Sequence, residues 1–338
     1  VAPAPLGVPP VLELLADGLW HSGKELGAAL GLSRAAIWKQ IRGLRALGLA
    51  VLAERRQGYC LAQPLDLLSA GVIRAALDPA TDRALELLEV LRVTDSTNAF
   101  FTGRTAPPPG RLWAAVAEYQ TGGRGRRGRR WLSPFGHGIC LSVAWTFETA
   151  PRDLPALSLV AGIAVARAVE SLGVVGLRLK WPNDVVVQAG TIAGKVGGIL
   201  VEVAGEPGGP LRAVMGIGLN VRPVPGISEA LLQEGGNPPA ALDELCPGTT
   251  LERNALGASL LNSLHDSLLC FTGQGFEPFS AAWRGYDALA GRDVSVTQGT
   301  ATFQGVARGI AADGALLVET GGRLVPVVAG DVTLRGRT

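Results

Sequence analysis

Residues 123–131 read Gly-Arg-Gly-Arg-Arg-Gly-Arg-Arg-Trp, five arginines among three glycines ahead of an aromatic side chain. The planar guanidinium donates hydrogen bonds in pairs and stays charged, which suits phosphate and carboxylate. Glycine lets the backbone approach a ligand and lets a loop fold over it. The chain has only 18% charged residues and a formal net charge of +2, so this density predicts a polyanion bound locally, not a charged coat over the whole surface. Gly123, Gly125 and Gly128 match the spacing of a dinucleotide fingerprint, but such a loop opens a helix. Here Trp131-Leu132-Ser133-Pro134 follows, a poor helix start. Arginine at every intervening position predicts binding by side chains. A solvated basic loop that touches RNA is the competing reading, and the neighbouring Gln120 and Trp131 favour a pocket.

Lys180-Trp181-Pro182-Asn183-Asp184 is the second unusual cluster. Proline between tryptophan and two short polar side chains forces a turn at a strand end. Asn183 and Asp184 could reach a ligand or a magnesium ion from there, since hard cations prefer oxygen. A structural Asx turn is the alternative. Lys195 enters an apolar strand from Gly194 and could point into a cavity. Ser96-Thr97-Asn98 serves equally as site residues or as a helix cap.

Residues 1–63 read as a small separate unit. Val11–Leu19 reads as a short apolar helix, and Ser22-Gly23-Lys24-Glu25 fits a capping box opening a second. After a tight turn at Gly31-Leu32, Ser33 caps a third helix from Arg34 to about Leu47, with Ile37, Ile41, Leu44 and Leu47 at helical spacing. Two short strands around Arg55-Arg56-Gln57-Gly58 complete the pattern of a winged helix-turn-helix. Seven Lys and Arg stand against four acids in this unit. Arg34, Lys39, Arg42 and Arg45 avoid the apolar stripe of the third helix, and Arg55 and Arg56 sit on the wing. A DNA-facing surface follows, with Ser22, Ser33 and the bulky Trp38 beside those cations. A solvated face on a protein-interaction module is the alternative.

Residues 64–83 read as a connector with some helix, and residues 84–286 as the main body. Its expected strands are 91–93, 111–118, 139–147 (half-buried), 177–181, 184–187, 196–203 and 213–221, with a core helix over 157–172. A further helix, capped by Thr249-x-x-Glu252, reaches about Phe271. Strands without regular strand–helix alternation predict an α+β domain. Residues 287–338 change character: five short strands, with turns at Asp313-Gly314 and Gly321-Gly322, predict a small β-barrel.

At 338 residues and 47% hydrophobic, the chain is long enough for two or three well-buried domains. Cys60, Cys140, Cys246 and Cys270 form no Cys-x-x-Cys pair, which predicts a reducing cytoplasm. His21, His137 and His265 are scattered, so no zinc site is expected. The start of the sequence does not read as a signal peptide. The apolar stretch 156–172 is broken by Arg167 and Glu170, and no membrane partner is expected.

Taken together and in order, Asp95-Ser-Thr-Asn98, Glu118-Tyr-Gln120, Gly123 to Arg129, Lys180 to Asp184, Lys195-Val-Gly-Gly-Ile-Leu200 and Gly216-Ile-Gly-Leu-Asn220 resemble the motifs of biotin protein ligases. With the winged unit ahead of them, the chain resembles the bifunctional form that also represses biotin synthesis genes. The resemblance implies a mixed-sheet ligase domain and an SH3-like C-terminal barrel. It implies a two-step reaction: biotin and ATP give biotinyl-5′-AMP, and a lysine of a biotin carboxyl carrier domain of acetyl-CoA carboxylase accepts the biotinyl group. It places Ser96, Thr97, Asn98, Gln120, Arg124, Gly125, Arg126 and Lys195 at biotin, and Arg129, Trp131, Asn183, Asp184 and Asn220 at the nucleotide. Trp131 would pack near the adenine. Arg126, Arg129 and Lys195 are the implied catalytic groups, with magnesium arriving on ATP and no metal site of the protein's own. Operator DNA and a homodimer promoted by biotinyl-5′-AMP are the implied partners. Residues 189–195 fit the family motif in two registers, and Gly-Gly-Ile-Leu after Lys195 selects that lysine. An adenylate-sensing transcription factor without turnover, or a lipoate ligase, are the other readings.

Overall fold

The computed structural model describes residues 8–189, 192–205, 209–224, 238–246, 248 and 250–334. The winged unit comprises α1 (Val11–Leu15), α2 (Gly23–Leu30), α3 (Arg34–Ala46), β1 (Val51–Glu54) and β2 (Gly58–Leu61). Both expected caps form: Ser22 Oγ accepts from Glu25 N at 3.1 Å while Glu25 Oε2 accepts from Ser22 N at 2.9 Å. Ser33 Oγ accepts from Ala36 N at 3.3 Å. Gly31, at φ 65°, supplies the left-handed residue that ends α2. Ile37, Ile41 and Leu44 are buried against Val11, Leu12 and Leu26 in one small core.

That core also takes in Phe135, with Tyr119 and Val93 partly buried against it. All three come from the central domain, so the winged unit is seated on it. The stretch read as a connector is part of the central fold: α4 (Ala70–Ala75) and α5 (Pro79–Ala84) lie along it, and Leu68 and Ile73 belong to the main core. Apolar residues every few positions draw it down onto the sheet.

The central sheet has seven strands in the order β3-β4-β5-β9-β8-β7-β6. They are β3 (Leu85–Leu91), β4 (Leu112–Ala117), β5 (Gly138–Phe147), β6 (Leu177–Lys180), β7 (Asp184–Ala189), β8 (Ile192–Gly205) and β9 (Leu211–Asn220). Only β3 and β4 run parallel; the other pairings are antiparallel. The short α6 (Thr97–Phe100) lies between β3 and β4 in the chain, and α7 (Leu157–Glu170) and α8 (Arg253–Gln274) pack over one face, burying Ile139, Leu141, Val143 and Trp145 of β5.

Several boundaries differ from those expected. β3 starts at Leu85, because the parallel ladder with β4 begins there, and Arg92 already leaves the sheet. β5 is buried on both faces, not half-buried. Its odd positions meet the helices, and its small even positions lie under residues 96–101 and the cleft. Lys195 sits inside β8 instead of opening it. At the start of α8, Glu252 makes no side-chain cap bond; Thr249 lies outside the described residues.

The C-terminal sheet follows α9 (Ser280–Tyr286) and has the order β13-β12-β11-β10-β14. Its strands are β10 (Asp293–Gln298), β11 (Ala301–Ile310), β12 (Leu316–Thr320), β13 (Arg323–Val327) and β14 (Asp331–Leu334). Gly321 and Gly322, at φ 55° and 73°, make the β12–β13 hairpin turn. β13 and β14 are the edges, so the described ladder is an open sheet. It is joined to the central domain where Trp181 Nε1 donates to Gly314 O at 3.0 Å. Among the described residues no helix is long and apolar enough to cross a membrane.

Candidate functional site

The arginine segment is a closed hairpin. Trp131 N donates to Gly123 O at 2.9 Å, Gly125 N to Arg129 O at 2.7 Å and Arg129 N to Arg126 O at 3.2 Å. At its tip Arg127 (φ 55°) and Gly128 (φ 75°) are both left-handed, the geometry of a type I′ turn. No helix follows, as the sequence predicted. The tip is held from outside: Arg127 Nη1 and Arg129 Nη2 donate to Asp331 Oδ2 of β14 at 2.8 and 3.2 Å.

Beneath the hairpin lies a cleft of about 290 Å³, on the sheet face opposite α7 and α8. Every vitamin- and nucleotide-site candidate named from the sequence lines it. Strand parity explains the floor. Gly216, Gly218 and Asn220 are alternate residues of β9 and face the cleft, while Met215, Ile217 and Leu219 enter the core. The glycines make room. A Cβ on Gly218 would lie 2.5 Å from Trp131 Cε2, so the indole rests directly on the strand. Trp131 is thus part of the floor, with Lys195 Nζ 5.8 Å from its ring centroid.

At one end, Gln120 Oε1 accepts from Thr97 N at 2.7 Å and from Thr97 Oγ1 at 3.2 Å. Ser96 is buried and makes no cap hydrogen bond, so its side chain is not serving as a cap. Asn98 lines the wall with its amide already committed. Nδ2 donates to Glu202 Oε2 at 2.7 Å, and Oδ1 accepts from Ser142 Oγ at 2.6 Å. Its geometry is that of a residue holding the wall.

At the other end, Lys195 Nζ and Asp184 Oδ1 are 2.6 Å apart. Asn183 Nδ2 donates to Ile199 O at 3.0 Å, and its Oδ1 accepts from Arg126 Nη1 at 3.3 Å. Asn220 Nδ2 donates to Ala240 O and Lys195 O, and among the described residues no donor meets its Oδ1. A smaller pocket of about 80 Å³, beside His137 and Arg222, shares Asn220 with the cleft.

Among the charged lining residues cations outnumber carboxylates: Arg124, Arg126, Arg129, Arg130, Lys180 and Lys195 against Asp184 and Asp331. Burial pulls the Lys180 ammonium below its ordinary value, and the nearby Asp184 carboxylate opposes that pull. Desolvation likewise lowers Arg126, with Asp331 pulling the other way. Charges held partly out of water are the ones an incoming anion gains most from meeting. Lys180 was visible in the sequence motif without a role; Asp331, Val332 and Thr333 of the C-terminal sheet carried no sequence signal of a place at this cleft.

The candidate DNA surface is separate. Arg34, Trp38, Lys39, Arg42 and Arg45 of α3 are exposed, as are Arg55 and Arg56 of the wing. Arg42 stacks 4.8 Å from the Trp38 ring centroid, and Arg45 Nη2 donates to Val51 O. Ser22 and Ser33 spend their side-chain oxygens on the helix caps.

A winged unit thus stands ahead of a mixed sheet that carries a cationic cleft. The biotin/lipoate A/B protein ligase family model matches residues 90–220. An HTH domain model matches residues 11–60, and the biotin protein ligase C-terminal domain model matches residues 290–335. The chain is 39% identical over 328 residues to the bifunctional ligase/repressor BirA of Salmonella typhimurium and to that of Escherichia coli, covering 96% of each chain. With BirA of Bacillus subtilis it shares 32% over 323 residues, 93% of each chain. The structure of a biotin protein ligase from Aquifex aeolicus in complex with biotin and ATP aligns with a TM-score of 0.60 at 27% identity, over 74% of this chain and 99% of that one. The chain belongs to the biotin protein ligase family.

Proposed function

We propose that the chain joins biotin to ATP and passes the biotinyl group to a carrier-domain lysine, and that its winged unit binds operator DNA in response to biotin. The observation that carries this reading is the convergence of Arg126, Arg129, Lys180 and Lys195 on the same cleft as Thr97 and Gln120. A small ureido ring needs a few polar groups in a slot, and Ser96, Thr97 and Gln120 offer them. Its carboxylate then lies beside the cations. The carboxylate oxygen attacks the α-phosphorus of ATP, the bond to the β-phosphate breaks, and pyrophosphate leaves. Two anions must meet for this, and Lys195 and the arginines lower the repulsion between them. Asn220 Oδ1 suits the exocyclic amino group of adenine. In the second step a neutral lysine amine attacks the acyl carbon, AMP leaves, and the amine gives up a proton.

Asp184 is engaged by Lys195, and one carboxylate leaves most of an oxygen coordination sphere unfilled. That fits magnesium arriving with the nucleotide, where it would shield phosphate charge. The proposed dimer, favoured by biotinyl-5′-AMP, would present two winged units to two half-sites. The sheet edge β3 is the candidate seam, because Asp287 and Ala288 already pair with Leu179 on the outer side of β6.

The test is transfer of labelled biotin to a carrier domain with ATP and magnesium. Transfer supports the reading; tight binding without transfer, or activity with lipoate alone, overturns it. For the second activity, deleting residues 1–63 should abolish operator binding and leave at least partial ligation. Retained DNA binding would mean the winged unit is not the DNA reader.

A further inference from the structure

One pair of charges lies outside the cleft yet touches several segments that build it. Glu118 (1% exposed) and Arg253 (0%) meet at 2.6 Å, Arg253 Nη1 donating to Glu118 Oε2. The same Nη1 reaches Gly138 O at 3.3 Å, and Nη2 donates to Asp66 O. Glu118 Oε1 accepts from Leu68 N at 2.6 Å and from Arg92 Nη1 at 3.3 Å. Arg92 in turn donates to Glu13 Oε1 of α1 at 2.8 and 3.0 Å, so the winged unit is tied to the same carboxylate.

Burying two opposite charges costs desolvation that their attraction barely returns, and an apolar pair of similar volume often holds a fold at least as well. An apolar pair cannot, however, impose direction. A guanidinium bonded to several oxygens fixes the angle and spacing of the segments that carry them. Here those segments lead into the site. Glu118 stands two residues before Gln120, just where the chain leaves β4. Glu118 N donates to Leu91 O at 3.0 Å, and Thr94 N to Tyr119 O at 3.1 Å, which ties the Asp95-Ser96-Thr97 turn to the same place.

We infer that Glu118, clamped by Arg253, is a positioning residue for biotin. It fixes the exit of β4 so that Gln120 meets Thr97 in the geometry that accepts the vitamin. The clamp acts on the biotin end more than on phosphate chemistry, because the cationic side chains hang from the hairpin, β6 and β8 instead. This rests on the reading of the cleft as a biotin site.

The test uses the full-length protein and the transfer assay, with biotin and ATP varied separately. Glu118→Gln keeps the shape and an acceptor for Leu68 N but removes the charge facing Arg253. It should raise the KM for biotin about tenfold, the scale of one mispaired charged hydrogen bond. The KM for ATP and kcat at saturating biotin should stay within about twofold. Arg253→Met should act in the same direction, and Arg253→Lys less. Asn254→Ala is the control. Asn254 holds Asp66, Leu67 and Ser69 of the same linker without touching Glu118, so its loss should lower Tm and leave the biotin KM unchanged. If Glu118→Gln does not fold, Arg253→Lys carries the same comparison. A lowered Tm with an unmoved biotin KM overturns the inference, as does an Asn254→Ala variant that raises that KM equally. A wild-type chain that transfers no biotin sinks the biotin reading and this inference with it. An active wild type with an indifferent Glu118→Gln sinks the inference alone.

Discussion

Gly218→Ala puts one methyl group under the Trp131 indole. The added Cβ would stand 2.5 Å from Cε2, 2.6 Å from Nε1 and 2.8 Å from Cζ2. Carbon atoms rest at about 3.5 Å or more, so the ring must retreat by roughly 1 Å. It has no easy retreat, because its backbone nitrogen is bonded to Gly123 O in the hairpin. Overpacking of this kind costs about 1–3 kcal/mol. At an unfolding entropy of about 2.1 cal/mol/K per residue, in a chain of this size that is a fall of roughly 1–4 °C in Tm. The functional loss should be larger. The ring and the arginines share one hairpin, and a shift of about 1 Å in positioned groups costs on the order of a hundredfold in rate. The measurement is kcat/KM for biotin transfer alongside the melting curve. Gly273→Ala is the control: nothing lies within 4 Å of its added Cβ, on an exposed turn of α8, and it should be neutral or slightly stabilising. Trp131→Phe in the Gly218→Ala background should regain part of the lost stability. If Gly218→Ala melts and turns over like the wild type, the indole does not lie on β9 and the account of the cleft floor is wrong.

Lys195→Ala should abolish adenylate formation, since it also leaves Asp184 as uncompensated negative charge beside the phosphates. Biotin binding by calorimetry should remain measurable, and unchanged turnover would remove Lys195 from the site. Arg126→Gly should release the adenylate early by loosening the hairpin–Asn183 contact; an unaltered off-rate would count against a retaining lid. Burial lowers the pKa of His265 from 6.5, with Thr81 Oγ1 3.1 Å from Nδ1. The unfolded chain therefore takes up a proton that the folded chain refuses. This contribution to stability is present above pH 6.5 and is lost as pH falls below it. Tm should drop from about pH 7 to pH 5, and His265→Asn should flatten that slope; an equally steep slope in the variant would acquit His265.

Much of the site was legible in the linear chain, because local chemistry wrote it there. Ser22, Glu25 and Ser33 form the predicted caps, since a side chain three residues from a free amide needs no tertiary help to find it. Glycine and arginine at 123–130, with Gln120 and Trp131 beside them, pointed to a pocket, and that segment does line one. Folding decided the rest. Lys195 shows why: by simple alternation it shares parity with Ile199, a core residue. The β7–β8 ladder slips by one residue, with Val185 facing Gly197 and Val186 facing Lys195, and this bulge at Val196 turns the ammonium into the cleft. No pattern in the sequence marks that slip. Nor could it show that Asp331 would cap the arginine hairpin from 202 residues away, or that Phe135 would join the core of the winged unit. Residue type and short spacing set what each side chain can do. Which groups meet depends on ladder register and on the docking of distant surfaces, and both are settled only when the whole chain closes on itself.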